Sequence, residues 1–160
     1  MAVTMAARDP DFARRVAESF ARQGAMKHLG AMLASVAAGQ VEIRLPYRPE
    51  VSQQHGFFHG GVVATIGDSA GGYAAYSLMP ADASVLTVEY KINLVAPAKG
   101  EELVARGRVL KPGRMLTVTA IDVFAVDKGR ETLCAVMQQT LICLHGKSDT
   151  PAGRSERKPT

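Results

Sequence analysis

The sequence predicts an α+β fold in which one antiparallel sheet wraps around a long central helix, with an extra N-terminal helix before it. Three observations support this prediction. A nearly continuous apolar segment, rich in small residues, occupies positions 60–79. Four strand-like segments with alternating side chains and short turns follow it. An amphipathic segment with a single apolar stripe lies near the N-terminus.

The length and composition fit one domain with a sizeable core. The chain has 160 residues, of which 47% are hydrophobic and 21% charged, close to the average for globular proteins. We expect a flexible N-terminus over residues 1–9, one domain over 10–145 and a flexible basic tail over 146–160. A nucleic-acid partner is not expected despite the net charge of +4, because aromatic residues make up only 6% and are not interleaved with basic ones.

The N-terminal helix is predicted over positions 10–27. Asp9 fits an N-cap, and Pro10 fits the first helical position. Three large apolar residues then recur at intervals of four and define the stripe that faces the core: Phe12, Val16 and Phe20.

Six strands are predicted. The segments MLASV and VEIRLPYR, separated by a turn at Gly39, form two short strands. Four longer strands follow the central helix: SVLTVEYKINLVAP, EELVARGRVLK, RMLTVTAIDVFAV and ETLCAVMQQTLICL. Their alternation and the short turns between them favour antiparallel neighbours.

The central helix, predicted over 60–79, has almost no polar face and must therefore be covered nearly all round. Its length approaches that of a membrane span, but its glycines and a central aspartate favour a buried helix instead. Each glycine costs about 1 kcal/mol relative to alanine, and we expect close contact with the sheet to offset that cost. The N-terminus has no apolar stretch of signal-peptide length, and Cys134 and Cys143 are predicted to be reduced residues of one strand. A cytoplasmic protein without a membrane partner is therefore expected.

Two sequence blocks carry a family resemblance. The first, QQHGFFHGGVVATIGD, runs from Gln53 to Asp68, and the second, TVEYKINLVAPAKG, runs from Thr87 to Gly100. Together with the order of the elements, they resemble the hotdog fold and, more narrowly, the PaaI-type acyl-CoA thioesterases. The resemblance covers residues 30–144. It implies hydrolysis of an acyl-CoA thioester to free acid and CoA, no cofactor beyond the CoA of the substrate, and a homodimer that pairs into a homotetramer.

Asp68 is the only charged residue of the predicted central helix. A partly desolvated carboxylate is a stronger base, so Asp68 could activate a water molecule or attack the thioester directly. The alternative is a structural carboxylate that pairs with a buried arginine or caps a backbone group.

The start of the central helix supplies a second candidate group. Free N–H groups and the helix dipole favour an anion at Gly60, and the resemblance implies that its N–H is the oxyanion donor. His59 is expected to stay neutral there and to hydrogen-bond the thioester or the leaving sulfur, or else to brace the loop. The resemblance also implies that Gln53 helps hold the thioester carbonyl and that Thr87 orients the attacking water, although a solvent-facing strand threonine is the alternative for Thr87.

The spacing of these residues predicts a shared site. His59 and Asp68 are nine positions apart, which on a helix places them on opposite sides and about 13 Å apart along the axis. One acyl group can hardly contact both within one subunit. Two antiparallel subunits could bring Asp68 of one chain to His59 and Gly60 of the other.

The CoA phosphates call for basic residues near the site entrance. Arg114, after the tight KPGR turn, is the best candidate, together with Lys111, although a solvated surface arginine is the alternative. HExxH, paired-cysteine and GxSxG patterns are absent, so neither a metal nor a serine nucleophile is predicted. A non-catalytic acyl-CoA-binding module remains the alternative function. A hydratase is disfavoured because no histidine follows Asp68 before His145.

The acyl group itself is not identified by the sequence. Aromatic walls would suit an aryl-acetyl or medium-chain acyl group, and four aromatic residues near the motif are candidates: Phe57, Phe58, Tyr73 and Tyr76.

Overall fold

The structure, a computed structural model that describes residues 5–150, is built on one six-stranded antiparallel sheet. The strands are β1 (Met32–Ala37), β2 (Gln40–Pro46), β3 (Ala83–Leu94), β4 (Glu102–Lys111), β5 (Leu116–Asp127) and β6 (Arg130–His145). Their order across the sheet is β1-β2-β4-β5-β6-β3. The predicted number of strands and their antiparallel pairing are confirmed.

Three α-helices accompany the sheet: α1 (Phe12–Arg22), α2 (Gly24–Leu29) and α3 (Gly60–Tyr76). A single 3-10 turn over Pro49–Val51 precedes α3 in the described chain. Helix α3 packs against every strand from β2 to β6 and forms the centre of the core. The predicted antiparallel sheet around a central helix, with an additional helix at the N-terminus, is therefore confirmed.

The prediction of one N-terminal helix over 10–27 is wrong at its start. The N-cap is Asp11 and not Asp9, because α1 begins at Phe12; the side chain of Asp9 accepts a hydrogen bond from the N–H of Asp11 at 2.9 Å, before the helix. The same carboxylate lies 2.9 Å from the Nε of Arg15, at ion-pair distance but not aligned for a hydrogen bond. The side chain of Asp9 is therefore buried beside Arg15.

The predicted N-terminal helix is also interrupted at Gln23. The backbone there is extended, with φ −71° and ψ 105°, so α1 ends and α2 begins at the next residue. The side-chain oxygen of Gln23 accepts a hydrogen bond from the hydroxyl of Ser69 at 3.2 Å. This contact ties the junction of α1 and α2 to the middle of α3.

Glycines bring α3 into direct contact with the sheet. A Cβ on Gly71 would lie 2.7 Å from the Cδ1 of Ile121 and 2.8 Å from the Oγ1 of Thr119. A Cβ on Gly107 of β4 would lie 2.8 Å from the backbone N of Gly71 and would overlap the carbonyl of Ala70. Both glycines are therefore required for the observed separation of helix and sheet.

The predicted all-round cover of α3 is incomplete in the single chain. The C-terminal half of α3 is buried, whereas Gly61 is exposed and Asp68 and Gly72 are half-buried. Strand β3, at the edge of the sheet next to this uncovered side, exposes several large apolar side chains: Leu86, Val88, Tyr90 and Leu94.

Cys134 and Cys143 both lie in β6, and both are free and buried. Asp149, within the predicted tail, lies 2.6 Å from the guanidinium of Arg22, whereas residues 1–4 and 151–160 lie outside the described residues. Among residues 5–150, no helix has the length and apolar character needed to cross a membrane.

Candidate active site

The carboxylate of Asp68 lies in the middle of α3 and faces two neighbouring strands. Its Oδ1 accepts a hydrogen bond from the hydroxyl of Thr87 on β3 at 2.7 Å. The amide Nε2 of Gln139 on β6 donates to the same oxygen, and it lies 2.9 Å from the hydroxyl oxygen of Thr87. Three polar side chains from three elements thus meet at one carboxylate oxygen.

A β-bulge places Thr87 in this cluster. The sequence pattern puts Thr87 and Glu89 on one face of the strand, but the pairing of β3 with β6 shifts between these two residues. The extra residue turns Glu89 to the opposite face, where it accepts a hydrogen bond from Thr140 at 2.7 Å. The predicted alternation along SVLTVEYKINLVAP is therefore broken after Thr87, and the carboxylate of Glu89 faces away from Asp68.

No ion pair holds Asp68 within the described part of the chain. Arg22 lines the same cavity, but its guanidinium is paired with Asp149. The alternative that Asp68 is a structural carboxylate paired with a buried arginine is therefore not observed among the described residues.

The cavity next to Asp68 has a volume of about 530 Å³ and also includes Thr87, Tyr73 and residues of α1. The hydroxyl of Tyr73 lies 3.1 Å from the hydroxyl of Ser19. Burial raises the pKa of Tyr73 to about 12, so its hydroxyl is neutral at physiological pH. The wall of this cavity away from Asp68 is therefore polar.

His59 occupies the N-cap position of α3. Its Nδ1 accepts a hydrogen bond from the N–H of Gly61 at 2.9 Å, so in the neutral ring the proton resides on Nε2. The ring is exposed in the single chain. The hydrogen bond to His59 satisfies the N–H of Gly61. The N–H of Gly60, one residue earlier, has no acceptor among residues 5–150.

Gln53 lies in a tight turn just before α3. Its backbone N–H donates to the carbonyl of Phe57 at 2.9 Å, and its side-chain oxygen accepts from the N–H of His55. The amide NH₂ of Gln53 has no acceptor within the described residues. Gln53 and Gly60 line one cavity of about 460 Å³, together with apolar residues that include Leu94.

The predicted site residues therefore form two groups in one chain. Asp68 and Thr87 line one cavity, whereas Gln53 and Gly60 line another, and His59 caps the helix beside the second. Gly60 and Asp68 are eight residues apart on α3, which corresponds to about 12 Å along the helix axis. The two groups do not meet within the chain.

The two basic candidates for CoA lie elsewhere. Arg114 is in the β4–β5 turn, where its carbonyl accepts a hydrogen bond from the Nε2 of His145 at 3.0 Å. It lines a cavity of about 230 Å³ with Arg8 near the C-terminal end of α3, and Lys111 is exposed at the end of β4. Their assignment to CoA stays a prediction.

The four aromatic candidates for an acyl pocket are divided as well. Tyr73 lines the cavity of Asp68, and Phe57 and Phe58 line that of Gln53. Tyr76 lines neither, because it is buried beneath the guanidinium of Arg15, which lies 4.3 Å from its ring centre. A continuous aromatic wall is not formed by the single chain.

Gln139 was not predicted from the sequence, although a signal exists. The inward positions of β6 are apolar on both sides of it, with Met137 and Leu141 both buried. A glutamine at such a position needs a hydrogen-bonding partner inside the protein. That pattern identifies a polar contact but not the element that provides it.

The chain is similar to proteins of known sequence and structure. The family model described as "Thioesterase superfamily" matches residues 55–132. The crystal structure of a thioesterase family protein from Silicibacter pomeroyi is 48% identical, with a TM-score of 0.83 over 84% of this chain and 99% of that chain. Human acyl-coenzyme A thioesterase 13 is 33% identical over 91 residues, which are 56% of this chain and 64% of that protein.

The Escherichia coli PaaI protein shares the fold at 20% identity, with a TM-score of 0.74 over 84% of this chain and 95% of that one. Three findings support one family: the shared fold, the family model matched by residues 55–132, and the 48% identity with the Silicibacter protein. The chain belongs to the thioesterase superfamily and has its hotdog fold.

Proposed function

We propose that the protein hydrolyses an acyl-CoA thioester to a free acid and CoA in a site that two subunits share. The observation that supports this proposal most strongly is the separation of two complementary groups on one helix. A hydrogen-bonded carboxylate, that of Asp68, lies in one cavity, and an N–H that has no acceptor among residues 5–150, that of Gly60, lies in another. An antiparallel second copy would place the two groups on either side of one thioester.

Asp68 supplies the base or the nucleophile. Its Oδ1 is held by Thr87 and Gln139, so the other oxygen is the one available to water or to the thioester carbon. As a base, Asp68 takes a proton from water while the oxygen of that water attacks the carbonyl carbon. As a nucleophile, it forms an acyl anhydride that water then hydrolyses. In both routes the carbon–sulfur bond breaks, and the CoA thiolate leaves and gains a proton.

The N-terminus of α3 from the partner subunit stabilises the developing oxyanion. The N–H of Gly60 and the amide NH₂ of Gln53 line the same cavity and would donate to the carbonyl oxygen. The tautomer of His59 set by Gly61 leaves an Nε2–H that is suited to the leaving sulfur. Thr87 orients the attacking water beside Asp68.

The edge strand β3 is the surface on which the second copy pairs. It is twelve residues long, it has no neighbouring strand on its outer side in the described part of the chain, and Leu86, Val88 and Tyr90 are about half exposed. A long apolar edge strand presents unpaired backbone N–H and C=O groups that can pair with a strand of another chain. Pairing of two β3 strands would cover the exposed side of α3 and give the homodimer, which we propose pairs further into a homotetramer. Arg114 and Lys111 would contact the phosphates of CoA from the surface of this assembly.

Release of free CoA thiol from a panel of acyl-CoA substrates tests the proposal. Asp68→Asn keeps the shape of the side chain and removes the base, so the rate should fall by about 10²–10⁴-fold, the usual contribution of such a group. Binding of the same acyl-CoA to Asp68→Asn should persist. Wild-type rates in Asp68→Asn would remove Asp68 from the reaction. Tight binding without cleavage by the wild-type protein would identify a binding module instead.

A further inference from the structure

We propose that Gln139 is a positioning residue that holds one oxygen of the Asp68 carboxylate and leaves the other free for the reaction. The proposal rests on the proposed role of Asp68 in thioester hydrolysis. Gln139 belongs to β6 and would not contact the substrate itself. It acts through Asp68 and through Thr87, the two groups that its amide contacts.

The hydrogen bonds of Gln139 fix the direction in which its amide points. Its Nε2 donates to the Oδ1 of Asp68 and lies 2.9 Å from the hydroxyl oxygen of Thr87 and 3.3 Å from the backbone carbonyl of Asp68. Its Oε1 accepts from the hydroxyl of Thr119 at 3.4 Å. The reverse orientation would set the amide oxygen against a carboxylate oxygen, and neither can donate.

Gln139 is fully buried on the inner face of the sheet, where the inward side chains before and after it on β6, Met137 and Leu141, are apolar. An apolar residue would fill this position without the desolvation cost of an amide. The helix also makes room for the amide, because a methyl group on Gly71 would overlap the Oε1 of Gln139. A glutamine and a glycine on opposite elements therefore fit together around the carboxylate.

The charged groups around Asp68 are few. The cavity that Asp68 lines contains two other charged side chains, Arg22 and Asp149, and these are paired with each other at 2.6 Å. Glu89, the nearest acid along β3, is turned to the outer face by the bulge. A carboxyl group placed at position 139 would therefore be the single acid in direct contact with Asp68.

The decisive variant is Gln139→Glu, with Gln138→Glu as its matched control. Gln138 is the preceding residue of β6 and is exposed on the opposite face, so the control adds the same charge to the same strand. In Gln139→Glu, two carboxyl groups in contact would share a proton, as like charges do at close range. The acid limb of the kcat/KM profile should move up by about two pH units, so the loss of rate should be largest on the acid side of the profile. Gln138→Glu should follow the wild-type profile.

Gln139→Met provides the second variant, because methionine is similar in size and cannot donate. It should lower kcat about tenfold with little change in KM, since the carboxylate keeps its charge and loses its orientation. Should Gln139→Glu fail to fold, the kcat of Gln139→Met decides the question. A folded Gln139→Glu with the wild-type acid limb, or a Gln139→Met with the wild-type kcat, would overturn the proposal. Failure of the proposed function is recognised separately, because Asp68→Asn would then retain full activity.

Discussion

Gln139 occupies the space in which a methyl group on Gly71 would lie, so a helix glycine and a buried strand glutamine depend on each other. The same methyl group would lie 2.7 Å from Ile121 and 2.8 Å from Thr119. Directly beside it, Gly72 offers a natural comparison, because a Cβ there would meet only Leu141, at an ordinary distance of 3.6 Å. Two adjacent glycines of one helix thus face very different surroundings.

Alanine substitutions should separate these two glycines. Gly71→Ala should lower the free energy of unfolding by about 1–3 kcal/mol, because overpacking of a filled core outweighs the better helix propensity of alanine. Gly72→Ala should be neutral or should raise it by up to about 1 kcal/mol. Urea unfolding of both variants measures the difference. Equal stability of the two variants would show that the core near Gln139 adapts to an added methyl group.

Gly60→Pro should remove one hydrogen-bond donor and little else. Proline is well tolerated at the first position of a helix, and His59 before it is already extended, with φ −65° and ψ 136°. If the N–H of Gly60 binds the oxyanion, kcat should fall by about 10²–10³-fold. Gly60→Ala is the control, because it retains the N–H while its Cβ meets only the flexible end of Leu94 at 2.9 Å. Equal losses in the two variants would indicate a steric effect and not a lost donor.

Arg15 should matter far more for stability than its neighbour Arg14. The guanidinium of Arg15 donates at 2.7 Å to the carbonyls of Met79 and Pro80 after α3, and it faces the buried Asp9. Arg15→Met should destabilise the fold by about 3 kcal/mol, because it leaves a buried carboxylate unpaired.

Arg14→Met serves as the control for this prediction. The side chain of Arg14 is 65% exposed and its ion pairs lie on the surface, where such pairs contribute about 0–1 kcal/mol. Thermal and urea unfolding of the two variants should therefore differ clearly. A similar loss in both would mean that the contacts of Arg15 with the end of α3 contribute little.

The two thiols should be unreactive in the folded protein. Burial raises the pKa of Cys134 to about 11 and also raises the pKa of Cys143. Because the thiolate is the reactive form, little of it exists at pH 8. Alkylation by iodoacetamide at pH 8 should be slow in buffer and fast in urea, where both thiols recover ordinary pKa values. Mass spectrometry of the labelled protein checks this, and rapid labelling of Cys134 without urea would contradict its burial.

Much of the site could be predicted because its residues are close in sequence. The helix from Gly60, the lone charge of Asp68 and the spacing between His59 and Asp68 are local features. Regular helix geometry alone converts that spacing into a separation along the axis. The family resemblance implied that Thr87 orients the attacking water, and the structure places its hydroxyl 2.7 Å from the carboxylate of Asp68.

The features that sequence reasoning missed depend on contacts between distant segments. The bulge of β3 after Thr87 inserts one residue into a strand whose alternation looks continuous. Asp9 lies two residues before the N-cap of α1 and contacts Arg15. Gln139 contacts a residue 71 positions earlier in the chain. None of these contacts leaves a periodic pattern in the sequence.

The most direct test of the shared site combines two inactive variants in one dimer. Asp68→Asn and Gly60→Pro subunits carry different affinity tags, are produced together, and are purified through both tags so that each dimer contains one of each. If Asp68 of one subunit works with Gly60 of the other, every mixed dimer has one site with both groups intact and one with neither. Its activity should then be about half that of the wild type, by the symmetry of a twofold dimer. Mixed dimers no more active than the two parent variants would contradict a site shared between subunits.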